Sequence, residues 1–166
     1  MKLNNLLCLL LVISILSCNS AGNEEVATEQ VKEEVSTGQV SKEAIVHNLT
    51  IKTSENDQER QAILDAARPE VKREVSGDVL FVVNHLIVAD NYAWLEVTVV
   101  DKNGHSLQLE NEELDCCHAE GLFRKKDGQW QAVVFNSFST DCWFCGISSQ
   151  YPEVNPEIFS AGARAN

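Results

Sequence analysis

The pattern of apolar and polar positions divides the chain into three parts. An apolar run of eleven residues, Leu6 to Leu16, is interrupted only by Ser14. That run is too short to span a bilayer, which takes about 20 residues, but it matches the apolar core of an export signal. Residues 19–45 are polar and contain no Phe, Trp or Tyr. Periodic apolar patterns begin near residue 47 and predict one folded domain that ends near residue 159.

The first pattern of the domain predicts a helix. Residues 47–53 predict a short strand or an entry segment, and residues 55–68 predict an amphipathic helix. Ser54 is the expected N-cap. Pro69 should end or kink the helix, because proline lacks a backbone N–H and clashes with the preceding turn. A second helical piece is expected over residues 69–75.

The next pattern is rich in β-branched residues and predicts four strands. They are expected at Val79–Ala89, Tyr92–Val100, Ala119–Lys125 and Trp130–Phe138. Short turns join them in pairs, and Asp127-Gly128 is the strongest hairpin signal. Thr140 is expected to cap a final helix over residues 141–150. Consecutive hairpins and a helix packed on one face predict an α+β domain, and a cystatin-like or nuclear-transport-factor-like curved sheet would fit this order.

Charge and composition narrow the class of protein. The chain has 13 Lys and Arg against 25 Asp and Glu, so its formal net charge is −12. This balance argues against nucleic acid as a partner, because phosphate binding needs clustered Lys and Arg. The 44% of apolar residues is too high for a wholly disordered protein. The polar segment before the domain is rich in Glu and buries little apolar surface, so it is expected to be a flexible acidic tether.

The apolar run ends in a motif that resembles a bacterial lipoprotein lipobox. Ile15-Leu16-Ser17-Cys18 places a small residue and a Cys after apolar residues, and Lys2 supplies the positive start. This resemblance implies that Cys18 is lipidated and holds the protein on the membrane. Asn19, where an Asp would indicate inner-membrane retention, favours the outer membrane, with the side that carries the domain left open. The expected organisation is a signal peptide over 1–17, the lipidated Cys and tether over 18–46, and one domain over 47–166.

The domain itself resembles a family of small exported bacterial proteins of unknown function. The helix Arg60–Pro69 and the hairpin segments Phe81–Val83 and Tyr92–Trp94 are similar to that family. The second hairpin and the closing segment add Leu122, Arg124, Lys125, Gly128-Gln129-Trp130 and Thr140-Asp141. The resemblance covers about residues 58–159. Its motifs are structural and the family has no assigned activity, so the resemblance implies no catalytic residue.

Four cysteines of the domain, Cys116, Cys117, Cys142 and Cys145, are the main candidates for chemistry. Cysteines of exported proteins usually pair, and four allow three connectivities. Two of these link the loop before the second hairpin to the closing helix, and the third pairs each Cys with its near neighbour. We expect a link between the two segments, because a ring between adjacent cysteines is strained and a helix would turn Cys142 and Cys145 towards one loop.

Two other chemistries stay open for these cysteines. A redox role would use Cys142 near a helix N-terminus, where backbone N–H groups stabilise a thiolate, although Asp115 and Asp141 oppose it. A structural zinc site would use the four thiolates, or three of them with His118, but two adjacent ligands are awkward for one ion.

The remaining candidates have plain structural interpretations. His85 is expected on a sheet face, His105 in solvent, and Asp65 with Arg68 in a contact within the helix. The tryptophans are expected in the core: Trp94, Trp130 and Trp143. The acidic run is expected to be a solvated loop: Glu110, Glu112, Glu113 and Asp115.

The sequence contains no phosphate-binding Gly loop, nucleophile elbow or zinc-protease helix. It therefore leans against an enzyme and predicts no catalytic residue and no cofactor. The leading interpretation is a lipoprotein anchored to the bacterial envelope whose domain binds an envelope protein or a small ligand through the open face of its sheet. The alternatives are an envelope thiol–disulfide protein that uses the C-x-x-C pair and a small zinc domain.

Overall fold

A computed structural model describes residues 44–109, 111 and 113–164. The expected signal peptide, Cys18 and the tether up to residue 43 lie outside these residues. The strands are β1 (Val46–Asn48), β2 (Val79–Ala89), β3 (Tyr92–Asp101), β4 (His118–Lys126) and β5 (Gln129–Ser137). The helices are α1 (Asp57–Val71), two 3₁₀-helices (Ile147–Gln150 and Pro156–Ile158) and α2 (Ala161–Arg164). The domain is α+β, as the sequence predicts.

Helix α1 differs from the prediction at both ends. It begins after Asn56, and the expected N-cap Ser54 instead donates a hydrogen bond to Glu55. It continues through Pro69 as far as Val71, which is fully buried. A proline in the last turn removes one hydrogen bond, and burial of Val71 offsets that loss. The second helical piece expected up to residue 75 is absent, because the chain turns after Val71.

The sheet has five antiparallel strands in the order β1-β2-β3-β4-β5, rather than the expected four. The fifth strand β1 overlaps the start of residues 47–53, where a short strand or an entry segment was expected. It pairs only with the end of β2, from Val46 opposite Ala89 to Asn48 opposite Ile87. The other four strands begin and end within one residue of their predicted bounds. Each strand follows its spatial neighbour in the chain, so the sheet is a simple meander.

One face of the sheet packs against α1. Ile63, Leu64 and Ala67 of the helix share a buried cluster with side chains of β3 and β4 such as Leu95 and Phe123. The alternating residues of β3 on this face are fully buried. Burial of such side chains contributes about 1.5–3 kcal/mol each and is the main force that holds the helix on the sheet.

The C-terminal residues cover part of the opposite face, while Leu80 and Val82 of β2 stay 47% and 51% exposed on it. A second buried cluster joins Trp94 and Leu122 of the sheet to Ile158 and Phe159 of the C-terminal segment. The helix expected over residues 141–150 is not formed. A turn precedes a 3₁₀-helix of four residues, and Gly146 between them has a φ of 70°, which breaks a helix.

Candidate functional site

The four cysteines form two local disulfides. Cys116 is bonded to Cys117, and Cys142 to Cys145. The expected cross-links between the two segments are therefore not formed. The closing segment is a turn rather than a helix, so helical spacing does not bring Cys142 and Cys145 to one face towards the other loop. A ring of four residues restricts the unfolded chain less than a long loop does, about 2 against about 3.5 kcal/mol.

The two disulfides differ in their surroundings. Cys117 belongs to the core between the sheet and α1 and is only 9% exposed. Cys116 is exposed, and its Sγ lies 3.5 Å from the Leu107 carbonyl oxygen. Cys142 and Cys145 are both exposed. A reagent in solvent therefore reaches the Cys142–Cys145 bond more readily than the other.

Neither the helix N-terminus nor the zinc site that stayed open as alternatives for these cysteines is present among the described residues. The turn that holds Cys142 and Cys145 precedes the 3₁₀-helix instead of starting a helix. No group of three His, Cys, Asp or Glu side chains in residues 44–109, 111 and 113–164 is placed to hold a metal ion. With all four sulfurs in disulfides, His118 has no thiolate partner for zinc.

A buried polar network lies between β4 and the Cys142–Cys145 turn. Glu120, only 5% exposed, has its Oε1 2.6 Å from Nδ1 of His118, and its Oε2 accepts a hydrogen bond of 3.2 Å from the indole N–H of Trp143. His118 Nε2 lies 3.0 Å from the Ser139 carbonyl oxygen. Because a carbonyl only accepts, Nε2 carries a hydrogen, and the facing Nδ1 and Oε1 hold one proton between them.

A second carboxylate faces this network. Glu96 of β3 is the direct cross-strand partner of Glu120 and accepts a hydrogen bond of 2.8 Å from the indole N–H of Trp94. Burial raises the pKa of Glu120, and the negative charge of Glu96 adds to that effect, while the hydrogen bond and the charge of His118 oppose it. The network thus contains a carboxyl that binds a proton more readily than an exposed one does.

Sequence reasoning missed both carboxylates. Glu96 shares its face of β3 with Trp94 and Thr98, and Glu120 shares its face of β4 with His118 and Leu122. This local pattern does not mark either carboxylate as part of a buried network. His118 was a candidate zinc ligand with the cysteines, but its partners are Glu120 and Ser139.

Of the other candidates, Trp94, Trp143 and Asp115 adjoin this network, and the rest lie apart from it. Asp65 and Arg68 form the expected contact within α1, at 3.2 Å. His105 is exposed beside Asp101, as expected. His85 Nε2 lies 2.7 Å from the carbonyl oxygen of Ile158 and so helps hold the C-terminal segment on the sheet. Trp94 and Trp130 are buried and Trp143 is partly buried. In the acidic run Glu113 and Asp115 are exposed, whereas Glu110 and Glu112 lie outside the described residues.

A cleft of about 310 Å³ opens between the start of α1, the β2–β3 turn and the end of β4. Its lining consists of His47, Leu49, Glu55, Asn56, Glu59, Val88, Asp90, Asn91 and Lys125. The turn is held in place because the backbone N–H of Lys125 donates a hydrogen bond to the Asn91 carbonyl oxygen, at 2.8 Å. Glu55, Glu59 and Lys125 also line a groove that runs along α1 as far as Trp130.

One wall of the cleft is an ion pair supported by a tryptophan. Lys125 Nζ lies 2.8 Å from Oε1 of Glu59, and the indole N–H of Trp130 donates to the same oxygen at 3.0 Å. Lys125 also lies over the Trp130 ring, 5.6 Å from its centroid. This arrangement fixes Glu59 and Lys125 and neutralises both charges. The sequence indicated these residues only as parts of structural motifs.

No family model, no curated protein and no solved structure matches this chain. The likeness to small exported bacterial proteins and the cystatin-like or nuclear-transport-factor-like architecture therefore stay predictions. Within the described part of the chain, no helix is long and apolar enough to cross a membrane.

Proposed function

We propose that the protein is a lipoprotein of the bacterial envelope, anchored through Cys18 to the outer membrane, and that its domain binds a small polar ligand without catalysing a reaction. The lipobox supports the anchor. The observation that carries the binding function is the cleft of about 310 Å³ between α1, the β2–β3 turn and β4. Its size lies at the lower end of the range of small-molecule sites.

Side chains from separate elements converge on this cleft. Asn56 comes from the start of α1, Asn91 from the β2–β3 turn and His47 from β1. Leu49 and Val88, both buried, supply an apolar base. A few polar groups around an apolar base are what fixes the orientation of a small ligand.

The charges of the cleft favour a ligand with a positive group. Glu59 is paired with Lys125, which leaves Glu55 and Asp90 without a cationic partner among the described residues. A hydrogen bond from the Thr53 side chain lowers the pKa of Glu55, so this carboxyl stays negative at neutral pH. An amine or guanidinium group would therefore gain two favourable charge interactions in the cleft.

The lining also supports binding over catalysis. It contains no Ser, Thr or Cys, so no hydroxyl or thiol nucleophile stands beside His47. The polar network with perturbed proton affinity, around Glu120, lies beneath the C-terminal segment and lines no part of this cleft. A cleft of this kind suits capture or presentation of a ligand near the membrane.

A thermal-unfolding screen tests the binding function. The purified chain would be heated with lysine, spermidine or glucosamine and, at matched ionic strength, with acetate. We expect at least one amine to raise Tm by several degrees near saturation, because a ligand at 100 times Kd stabilises the folded state by about 2.7 kcal/mol. Acetate should have no effect.

Variants locate the effect. Glu55→Gln together with Asp90→Asn should abolish the shift, since both unpaired charges are removed while the shape is kept. Glu153→Gln, an exposed change outside the cleft lining, is the matched control and should keep the shift in full. Equal shifts in all three proteins, or no shift with any amine, would contradict binding of a cationic ligand in this cleft.

A further inference from the structure

The Cys142–Cys145 disulfide does more than close a short turn. The two residues between the cysteines, Trp143 and Phe144, both pack against Trp94, with ring centroids 6.3 Å apart in each case. The same Trp143 donates its indole N–H to the buried Glu120. The bond therefore fixes two aromatic side chains that hold the C-terminal segment on the sheet.

The position of this bond makes it accessible to thiols. Cys142 and Cys145 are both exposed, whereas Cys117 of the Cys116–Cys117 disulfide lies in the core. Exchange starts when a thiolate attacks a disulfide sulfur, so access to that sulfur is required. The short ring also restricts the unfolded chain less than a link between the two segments would.

The network beneath the turn is linked to that bond through Trp143. Glu120 has two side-chain partners, Trp143 and His118, and the latter also lies 4.0 Å from Asp115. Glu96 faces Glu120 across the strands. If Trp143 moves away, the buried carboxyl keeps only His118 to offset its burial.

We propose that Cys142–Cys145 is an exchangeable redox disulfide whose reduction by a dithiol releases Trp143 from Glu120. A thiolate of the dithiol attacks one cysteine sulfur, the S–S bond breaks, and the other cysteine leaves as a thiolate and takes a proton from water. The second thiolate of the dithiol then displaces the first cysteine, which is protonated in turn. Two electrons pass to the protein, and the dithiol leaves as a disulfide. This activity is separate from ligand binding in the cleft.

The test uses the full mature chain in buffers of reduced and oxidised dithiothreitol. Free thiols would be alkylated and assigned to individual cysteines by peptide mass spectrometry, while tryptophan emission and far-ultraviolet circular dichroism are followed. We expect Cys142 and Cys145 to be labelled together in buffers that leave Cys116 and Cys117 unlabelled. Emission should shift to the red over the same range, with circular dichroism unchanged.

Variants separate the redox reaction from its structural consequence. Cys116→Ser with Cys117→Ser should keep both the labelling and the emission transition. Trp143→Phe should keep the labelling transition and lose most of the emission change. Cys142→Ser with Cys145→Ser should show the emission of the reduced protein in every buffer.

Two results would overturn the proposal. If Cys142 and Cys145 are labelled only when the circular dichroism signal of the fold is lost, the bond is a structural disulfide that is reduced only on unfolding. Labelling in the folded protein without any change in emission would show that Trp143 stays in place, so that reduction is not coupled to the network.

Discussion

At the scale of single residues, Glu120 is the position where burial and charge conflict most. It is 5% exposed, yet its carboxyl faces Glu96 across the strands. His118 and Trp143 offset that cost by hydrogen bonding, so no buried side-chain polar atom among the described residues lacks a partner. The pKa of Glu120 is still raised, mainly because burial disfavours its charged form.

A raised carboxyl pKa makes stability depend on pH in a defined direction. Below the ordinary value of 4.5 Glu120 is protonated in the folded and the unfolded chain alike. As the pH rises from 4.5 through the folded-state pKa, the unfolded chain loses this proton first, and the stabilisation that the proton gives to the folded state is lost. Glu120→Gln keeps the shape and removes the titration. The variant should therefore gain stability over the wild type above pH 4.5, by up to about 1.4 kcal/mol per pH unit until a plateau.

Urea unfolding of both proteins between pH 4 and 8 measures this difference. Glu153→Gln, an exposed change, is the control and should track the wild type at every pH. A constant difference between Glu120→Gln and the wild type over the whole range would mean that burial does not perturb this carboxyl.

Such residues were beyond prediction because their environment is made by distant parts of the chain. The partner Trp143 lies 23 residues from Glu120 in sequence, in a segment without a periodic pattern. A lone Glu in a strand carries no local sign that it will be covered. The local contact of Asp65 with Arg68 on one helix face was predictable, because helical spacing alone brings the two together.

At the scale of elements, local pattern decided what the sequence could predict. Strands β2 to β5 were found because alternation and β-branched residues specify a strand without reference to the rest of the fold. Strand β1 has three residues and exists only through pairing with β2, so the sequence left a short strand and an entry segment open there. The prediction of a helix over residues 141–150 was wrong, because these residues are held by contact with Trp94 and not by a helical pattern of apolar positions.

Helix α1 offers a prediction at this scale. Pro69 lies inside the helix and is exposed, so no packing requires its ring. Pro69→Ala would restore a backbone N–H that can donate to the carbonyl of Asp65. We expect the free energy of unfolding to rise by about 1–3 kcal/mol, because proline is about 3 kcal/mol less favourable than Ala in a helix interior.

Chemical denaturation with circular dichroism detection measures that change. Ala62→Gly is the opposing control on an exposed position of the same helix and should lower stability by about 1 kcal/mol. A loss of stability in Pro69→Ala would show that a bend at this residue is needed to place Val71 in the core.

At the scale of the whole molecule, the proposed ligand site lies at one end of the sheet, in the cleft between α1, the β2–β3 turn and β4. Helix α1 packs against one face of the sheet, and the C-terminal segment packs against part of the other. Leu80 and Val82 of β2 stay exposed on that second face, so binding through an open face stays a prediction. The cleft is formed by elements that lie far apart in the sequence, so no single motif predicts it.

The proposed anchor is tested on the same scale, in the intact cell. The full chain should sediment with the membranes, and Cys18→Ala should appear in the soluble fraction, because each buried CH₂ of an acyl chain contributes about 0.8 kcal/mol of membrane binding. Cys8→Ala is a matched control, since Cys8 lies within the apolar run of the same signal and should be dispensable. Intact mass of the membrane-bound protein should show acyl groups and a new N-terminus at Cys18. A membrane-bound wild-type protein whose intact mass shows no acyl group would contradict the lipoprotein proposal.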